Sequence, residues 1–79
     1  MRVTVSGLIM EIKPEYDEKK NRLSTVTAMI FQKGEKALIA MKKIPAEMVD
    51  EGLAIENVPA RVMAWSIDGN YGLSCSYSG

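Results

Sequence analysis

Apolar and polar residues alternate through most of this chain, which predicts β-strands from the first residues onward. In residues 2–13 the apolar positions are odd-numbered as far as Val5 and even-numbered from Leu8 to Ile12. The phase therefore changes at Gly7. A phase change at a glycine is typical of a β-bulge or sharp coil in a strand that serves two sheets of a small barrel.

Two further strands are expected after a polar loop, because Pro14 ends the first strand and residues 15–21 are charged or polar. Residues 22–33 are rich in side chains that favour sheets. Their alternation places Val26, Ala28 and Ile30 on one face, and Thr25, Thr27, Met29 and Phe31 on the solvent or ligand face. A tight turn at 33–35 then leads to a third strand at 36–43, with Ile39 and Met41 opposing Lys36, Leu38, Ala40 and Lys42.

The pattern changes between Pro45 and Gly52, where proline at a first helical position and a glycine stop predict one or two helical turns. Residues 58–65 predict a fourth strand. Asp68-Gly69-Asn70 is a hairpin turn signal. The fifth strand follows it, with Tyr71, Leu73, Cys75 and Tyr77 alternating with small residues.

This order of elements resembles an OB-fold: a long strand with a mid-strand glycine, a polar hairpin, two strands, a short helix and a final hairpin. The resemblance covers nearly all of the chain and lies in layout and glycine placement. An SH3-like barrel is the main alternative, but it offers no natural place for a helix between the third and fourth strands. The expected architecture is one all-β domain, residues 1–79, forming a five-stranded Greek-key barrel with one short helix.

Small OB-fold proteins similar to this chain include the single-stranded-DNA-binding proteins of bacteria and phages. The resemblance implies binding across strands two and three, flanked by the loops between strands one and two and strands four and five. Aromatic side chains would stack on bases, and lysine and arginine would contact phosphates. The residues that this implies are Tyr16, Lys19, Lys20, Arg22, Thr25, Thr27, Phe31, Lys36, Lys42, Trp65 and Tyr71.

Several aromatic positions have competing interpretations. Core burial competes with stacking for Phe31 and Tyr71, and core burial is favoured for Tyr77. Tyr16 lies in a charged loop and is the least suited to the core. Trp65 shares a strand face with Arg61, Met63 and Ile67, and this face could cover the barrel end, stack on a base or form a dimer contact.

Charged residues are unevenly distributed along the chain, although the net charge is zero. Residues 1–43 carry nine basic and five acidic side chains, a net of +4, and residues 44–79 carry one basic and five acidic side chains, a net of −4. A polarised surface with a basic face is one interpretation, and scattered solubilising charges are the other. Residues 44–79 contain no acidic run like the tail that bacterial single-stranded-DNA-binding proteins use to recruit partners, so a recruiting role is not expected.

Catalysis is not expected from this composition. The chain has no histidine, so the commonest general base and the Cys/His zinc sets are missing, and its lone Cys75 cannot form an internal disulfide. Cys75 is expected to be a small core residue. The carboxylates of Glu15, Asp17 and Glu18 are expected to be solvated charges. We therefore predict no enzyme activity, no metal site and no cofactor.

The sequence leaves two functions open. The first is a sequence-tolerant single-strand binder, with DNA favoured over RNA, acting in the DNA replication of a phage, plasmid or other mobile element. The second is a protein-interaction or homodimerisation module that uses the face with Met63, Trp65 and Ile67. The uncharged stretch at residues 23–32 is too short to span a bilayer, and no secretory signal is apparent, so a cytoplasmic location is expected.

Overall fold

A computed structural model describes residues 1–79, and it is almost entirely β-structure. The strands are β1 (Arg2–Tyr16), β2 (Arg22–Phe31), β3 (Ile39–Pro45), β4 (Ala54–Ile67) and β5 (Asn70–Tyr77). Strands hold 68% of the residues and the one helical element is a 3-10 turn at Ala46–Met48, which confirms the all-β class.

The five strands form a single sheet that closes on itself in the order β1-β2-β3-β5-β4, with β4 returning to β1. All neighbours are antiparallel except β3 and β5, which pair in parallel through Met41 with Cys75 and Lys42 with Ser76. The long strand β1 serves both halves of the sheet. Its first seven residues pair with β4, its later residues pair with β2, and Leu8 has a partner in each.

The core lies inside this closed sheet and consists of ten buried residues, all of them hydrophobic. They are Val5, Ile9, Val26, Ala28, Ile30, Met41, Ile44, Val49, Val58 and Ala60. The predicted inward positions of the second strand are all among them, and Thr25, Thr27, Met29 and Phe31 face outward as expected. The alternation in β2 predicted the inward side chains correctly because β2 has no bulge against β1 between Val26 and Met29.

The phase of β1 differs from the prediction. The register against β4 does shift between Val5 and Gly7, but Val5, Gly7 and Ile9 keep the same inward parity, and the phase changes at the bulge between Ile9 and Glu11. Leu8 and Met10 therefore lie on the exposed side. Gly7 has a different role, because a Cβ atom there would overlap the backbone carbonyl of Phe31 and lie 2.7 Å from Ile30 Cγ2.

Three element boundaries also differ from the prediction. Pro14 does not end β1, since it pairs with Val26 beside a bulge, where the missing N–H group is tolerated. Lys36 lies in the β2–β3 loop, because β3 begins only at Ile39. The helix expected at residues 45–52 is a single 3-10 turn, after which Val49 is extended and buried in the core.

The chain leaves the helical path after Met48 because its backbone joins β1. The amide of Gly52 donates to the carbonyl of Ile9 at 2.8 Å, and the amide of Ile9 donates to the carbonyl of Leu53 at 2.9 Å. These hydrogen bonds satisfy β1 at the point where its pairing changes from β4 to β2. No helix in the structure is long and apolar enough to cross a membrane.

Candidate nucleic-acid interface

The loop between β1 and β2 is held in one conformation by Asp17. Its Oδ1 atom accepts hydrogen bonds from the amides of Lys19 and Asn21, both at 2.9 Å. The amide of Lys20, a residue with φ of 63°, donates to the carbonyl of Asp17 at 2.9 Å. The side chains of Lys19 and Lys20 are consequently presented to solvent by a tight turn. Asp17 is a structural residue here, contrary to the prediction that it is only a solvated charge.

Glu15 organises the outer face of β1, β2 and β3 at the same end of the sheet. Its carboxylate accepts hydrogen bonds from the hydroxyl groups of Thr25 at 2.7 Å and Thr27 at 2.8 Å, and from the amide of Lys43 at 3.0 Å. Lys43 has φ of 61° and sits at a bulge opposite Thr27. Desolvation alone would raise the pKa of Glu15, but the hydrogen bonds and the nearby Lys43 charge outweigh it and lower that pKa.

The prediction that Glu15 is a solvated charge was therefore wrong. In the sequence, a glutamate at the end of a strand cannot be distinguished from an ordinary surface glutamate. The sequence did contain one indication, because Thr25 and Thr27 share a face of β2, and Thr27 pairs with Lys13 near the end of β1. Nothing in the sequence indicated that the amide of Lys43 bonds to Glu15, because this contact arises from a bulge in β3.

Four of the five aromatic side chains are exposed to solvent. The exposed fraction is 58% for Tyr16, 42% for Phe31, 42% for Trp65 and 82% for Tyr71. Only Tyr77 packs against the core. Core burial is therefore excluded for Phe31 and Tyr71, and the preference for Tyr77 in the core is confirmed. Large aromatic residues with one apolar face in water are the groups that stack on unpaired bases.

The end of the β4–β5 hairpin is a two-stranded ribbon, residues 63–74, which extends past the rest of the sheet. The last β4 residue with a β1 partner is Arg61, and the first β5 residue with a β3 partner is Cys75. Within the ribbon, β4 and β5 pair only with each other. Asp68 and Gly69 close it with φ of 50° and 81°, the two positive values of a type I′ turn, as the Asp-Gly signal predicted.

Trp65 lies on one face of the ribbon, directly across from Gly72. A Cβ atom on Gly72 would lie 2.6 Å from Cε2 and 2.9 Å from Nε1 of the indole, so the ring covers the glycine backbone. Met63 and Ile67 share this face and are exposed. Tyr71 and Leu73 belong to the opposite face of the ribbon. The ribbon thus presents apolar side chains in two directions.

The register divides the predicted site residues between the two ends of the sheet. Because β5 runs parallel to β3, its first residues lie near the start of β3 and the end of β2. Tyr16, Lys19, Lys20, Arg22, Thr25 and Thr27 lie toward one end, whereas Phe31, Lys36, Trp65 and Tyr71 belong to the other. Arg22 and Phe31 are about 30 Å apart along β2, at ~3.3 Å per residue. Lys42 lies opposite Thr27.

A groove of about 560 Å³ opens where the inner faces of β1, β3 and β5 diverge near the ribbon. Its lining includes Val3, Leu38, Ile39, Leu73 and Cys75. Burial raises the pKa of the Cys75 thiol, so this group is protonated at neutral pH. Cys75 packs against the core as predicted, and its protonated state makes it a poor nucleophile.

The structure also pairs two arginines that the sequence analysis did not connect. Arg2 on β1 is the direct partner of Arg61 on β4. Nothing local in the sequence links two residues 59 positions apart, and the pairing follows only from the β1–β4 register.

Neither a protein-family model, nor a curated protein, nor a solved structure matches this chain.

Proposed function

We propose that this chain is a single-stranded nucleic-acid-binding protein of the OB-fold type, with DNA as the favoured ligand and little dependence on base sequence. Bases stack on exposed aromatic side chains, and lysine and arginine side chains contact the phosphates. No covalent chemistry is involved, and no cofactor or metal is required. The proposal rests on exposed aromatic residues, on the distribution of basic side chains and on strand order.

The strand order supports the fold assignment. An OB-fold is a five-stranded Greek-key barrel that binds oligonucleotides across strands two and three and through the loops between strands one and two and strands four and five. In this chain β1 is shared between β2 and β4, and β3 and β5 close the sheet in parallel. The corresponding loops are residues 17–21 and 68–69.

The observation that carries the proposal is the exposure of Tyr16, Phe31, Trp65 and Tyr71. A chain of this size has a small core, and its most effective apolar side chains for filling it are the aromatic ones. Here the core is built from aliphatic residues instead, and the aromatic residues lie outside. Base stacking on such a residue is worth about 1–3 kcal/mol and does not depend on which base is present.

Basic side chains accompany the aromatic residues at both ends of the sheet. Lys19, Lys20 and Arg22 lie beside Tyr16, and Lys36 lies in the loop that follows Phe31. A strand that reached both ends would cover about 30 Å of β2, which fits the 4–16 nucleotides that an OB-fold accommodates.

The test is a fluorescence-anisotropy titration of a labelled single-stranded oligonucleotide at about 50 and 200 mM salt, with duplex of the same sequence as the control. We expect single-strand binding that weakens steeply with salt, and much weaker binding to duplex. Trp65→Ala should reduce affinity about 5- to 150-fold, the equivalent of one lost stacking contact. Leu53→Ala is the control, because it removes an exposed apolar side chain that lies outside the ribbon.

A second candidate function is self-association or protein binding through the face with Met63, Trp65 and Ile67. The ribbon favours it, since these three apolar side chains are exposed on one face and the strand edges beside them have no partner. Light scattering on the wild-type protein separates the two functions. A dimer that Ile67→Lys converts to monomer, together with no oligonucleotide binding at 50 mM salt, would replace the first proposal with the second.

A further inference from the structure

We infer that the phosphate backbone of a bound single strand follows a row of basic side chains on the outer surface of β1, β4, β5 and β3, formed by Arg2, Arg61 and Lys42. This inference deepens the proposed function and rests on it. It adds two residues, Arg2 and Arg61, to the interface, and it places part of the bound strand beside Trp65 on β4.

The register places these residues in one row. Arg2 pairs with Arg61, Arg61 pairs with Ser76, and Ser76 pairs with Lys42. Directly paired residues in a sheet project from the same face. All three basic residues are exposed, and three interstrand spacings of ~4.8 Å make the row about 14 Å long.

The row is electrostatically unfavourable in the free protein. Like charges directly opposite each other destabilise a sheet, and Arg2 and Arg61 are such a pair. Their neighbours on the same face are Thr4, Pro59 and Met63, and none of these carries a compensating carboxylate. A bound anion would remove this repulsion, and the phosphates of a nucleic acid supply anions in a line.

Trp65 provides the second contact on the same surface. It follows Arg61 on the same face of β4 with Met63 between them, and it is about 13 Å away at ~3.3 Å per residue. Its indole is held against Gly72 and 42% of the residue remains exposed. A base must be unpaired to stack on this ring, so the arrangement suits a single strand and not a duplex.

The first half of β2 offers a less suitable outer face for phosphates than the surface around Arg2 and Arg61. The hydroxyl groups of Thr25 and Thr27 donate to Glu15, and the carboxylate of Glu15 lies between β1 and β3 at this position. A phosphate placed there would face a negative charge. No carboxylate lies among the paired neighbours of Arg2 and Arg61, and only the Lys42 end of the row is near Glu15, through the amide of Lys43.

The experiment measures how the affinity for a labelled single-stranded oligonucleotide depends on salt in the full chain. Each phosphate contact on a single strand contributes a slope of about −0.7 in log K against log salt. Arg61→Gln should make the slope less steep by ~0.7, and Arg2→Gln with Arg61→Gln by ~1.4. Lys33→Gln is the matched control, because it removes the same charge from the β2–β3 loop and should leave the slope almost unchanged.

A thermal melt without ligand shows whether the variants are folded. Since each substitution relieves the repulsion between the two arginines, Arg61→Gln should melt at the wild-type temperature or above it. Weaker binding together with equal or higher stability is the expected combination. A structural role for Arg61 would instead lower both.

The outcomes separate the inference from the proposed function. If the wild-type protein does not bind single strands at 50 mM salt, both fail. If it binds, the double arginine variant keeps the wild-type slope, and Lys19→Gln with Lys20→Gln reduces it, then the proposed function stands and the inference is overturned. If the double variant loses as much affinity for duplex as for single strands, the row is a general polyanion contact and the inference is also overturned.

Discussion

Replacing Glu15 with glutamine should destabilise the fold in a pH-dependent way. The carboxylate of Glu15 joins three strands, because it accepts from Thr25 and Thr27 on β2 and from the amide of Lys43 on β3. Glutamine keeps the length of the side chain but has no charge and only one acceptor oxygen. At least one of the three hydrogen bonds is lost or weakened in the variant.

The size of the effect follows from the number of hydrogen bonds and their exposure. Hydrogen bonds to charged groups contribute ~1.5–3 kcal/mol each when well shielded. Glu15 is only partly buried, so about 1 kcal/mol per bond is the appropriate value, and Glu15→Gln should cost about 1–2 kcal/mol. For a domain of this size that corresponds to a fall in Tm of about 4–16 °C.

The dependence on pH has a definite sign. The pKa of Glu15 in the folded protein lies below its ordinary value of 4.5. Its contribution to stability is therefore complete above about pH 4.5 and is lost as the pH falls through the folded pKa. The difference in Tm between the wild-type protein and Glu15→Gln should be constant from about pH 5.5 to 8 and should shrink below about pH 4.5.

The assay is thermal unfolding followed by circular dichroism across this pH range. Glu18→Gln is the control, because it removes a carboxylate from the adjoining loop that forms no hydrogen bond in the structure. Glu18→Gln should shift Tm by less than about 2 °C. Equal shifts for the two variants, or a Tm difference for Glu15→Gln that does not change with pH, would refute the role given to Glu15.

Two further predictions concern glycines. Gly7→Ala should destabilise the protein by about 1–3 kcal/mol, measured as a lower urea midpoint, because its Cβ atom meets the carbonyl of Phe31 rather than a movable side chain; an unchanged midpoint would contradict this account. Gly72→Ala should displace the indole of Trp65 at little cost in stability, and should weaken single-strand binding and shift the emission of this single tryptophan. Wild-type binding and emission in that variant would show that the indole does not depend on Gly72.

Regular alternation was the part of the fold that could be predicted. The inward positions of β2, the alternating faces of β5 and the Asp68-Gly69 turn all followed from residue type and spacing. These features are local, since a strand period of two and a turn with two positive φ values depend on neighbouring residues alone.

Bulges were the part that could not be predicted. The phase change in β1 lies at Ile9/Glu11, and further bulges place Lys43 beside Glu15 and leave Asn57 with φ of 52°. A bulge inserts a residue into one strand relative to its partner, so its position depends on the register of two strands that are distant in sequence. The phase of β1 was mispredicted at Gly7 because the register shift there inserts its extra residue into β4, while Gly7 itself lies where two backbones approach closely.

The candidate site was predicted in its residue types but not in its arrangement. Tyr16 was expected to be exposed because of its charged surroundings, whereas Phe31 and Tyr71 were ambiguous between core and surface. An alternating strand shows which residues share a face, but it does not show whether that face extends beyond the neighbouring strands. The ribbon leaves Tyr71 in water because β3 pairs with β5 only from Cys75 onward.

By itself, the sequence determined the all-β class, the number of strands, the main hairpin turn and the supply of aromatic and basic side chains, because these depend on local periodicity and composition. The tertiary structure alone decided how β1 divides between β2 and β4, how Glu15 crosslinks the strands, and how Arg2, Arg61 and Lys42 come into one row. Those features depend on strand register, and register is fixed by the fit of all five strands around one core.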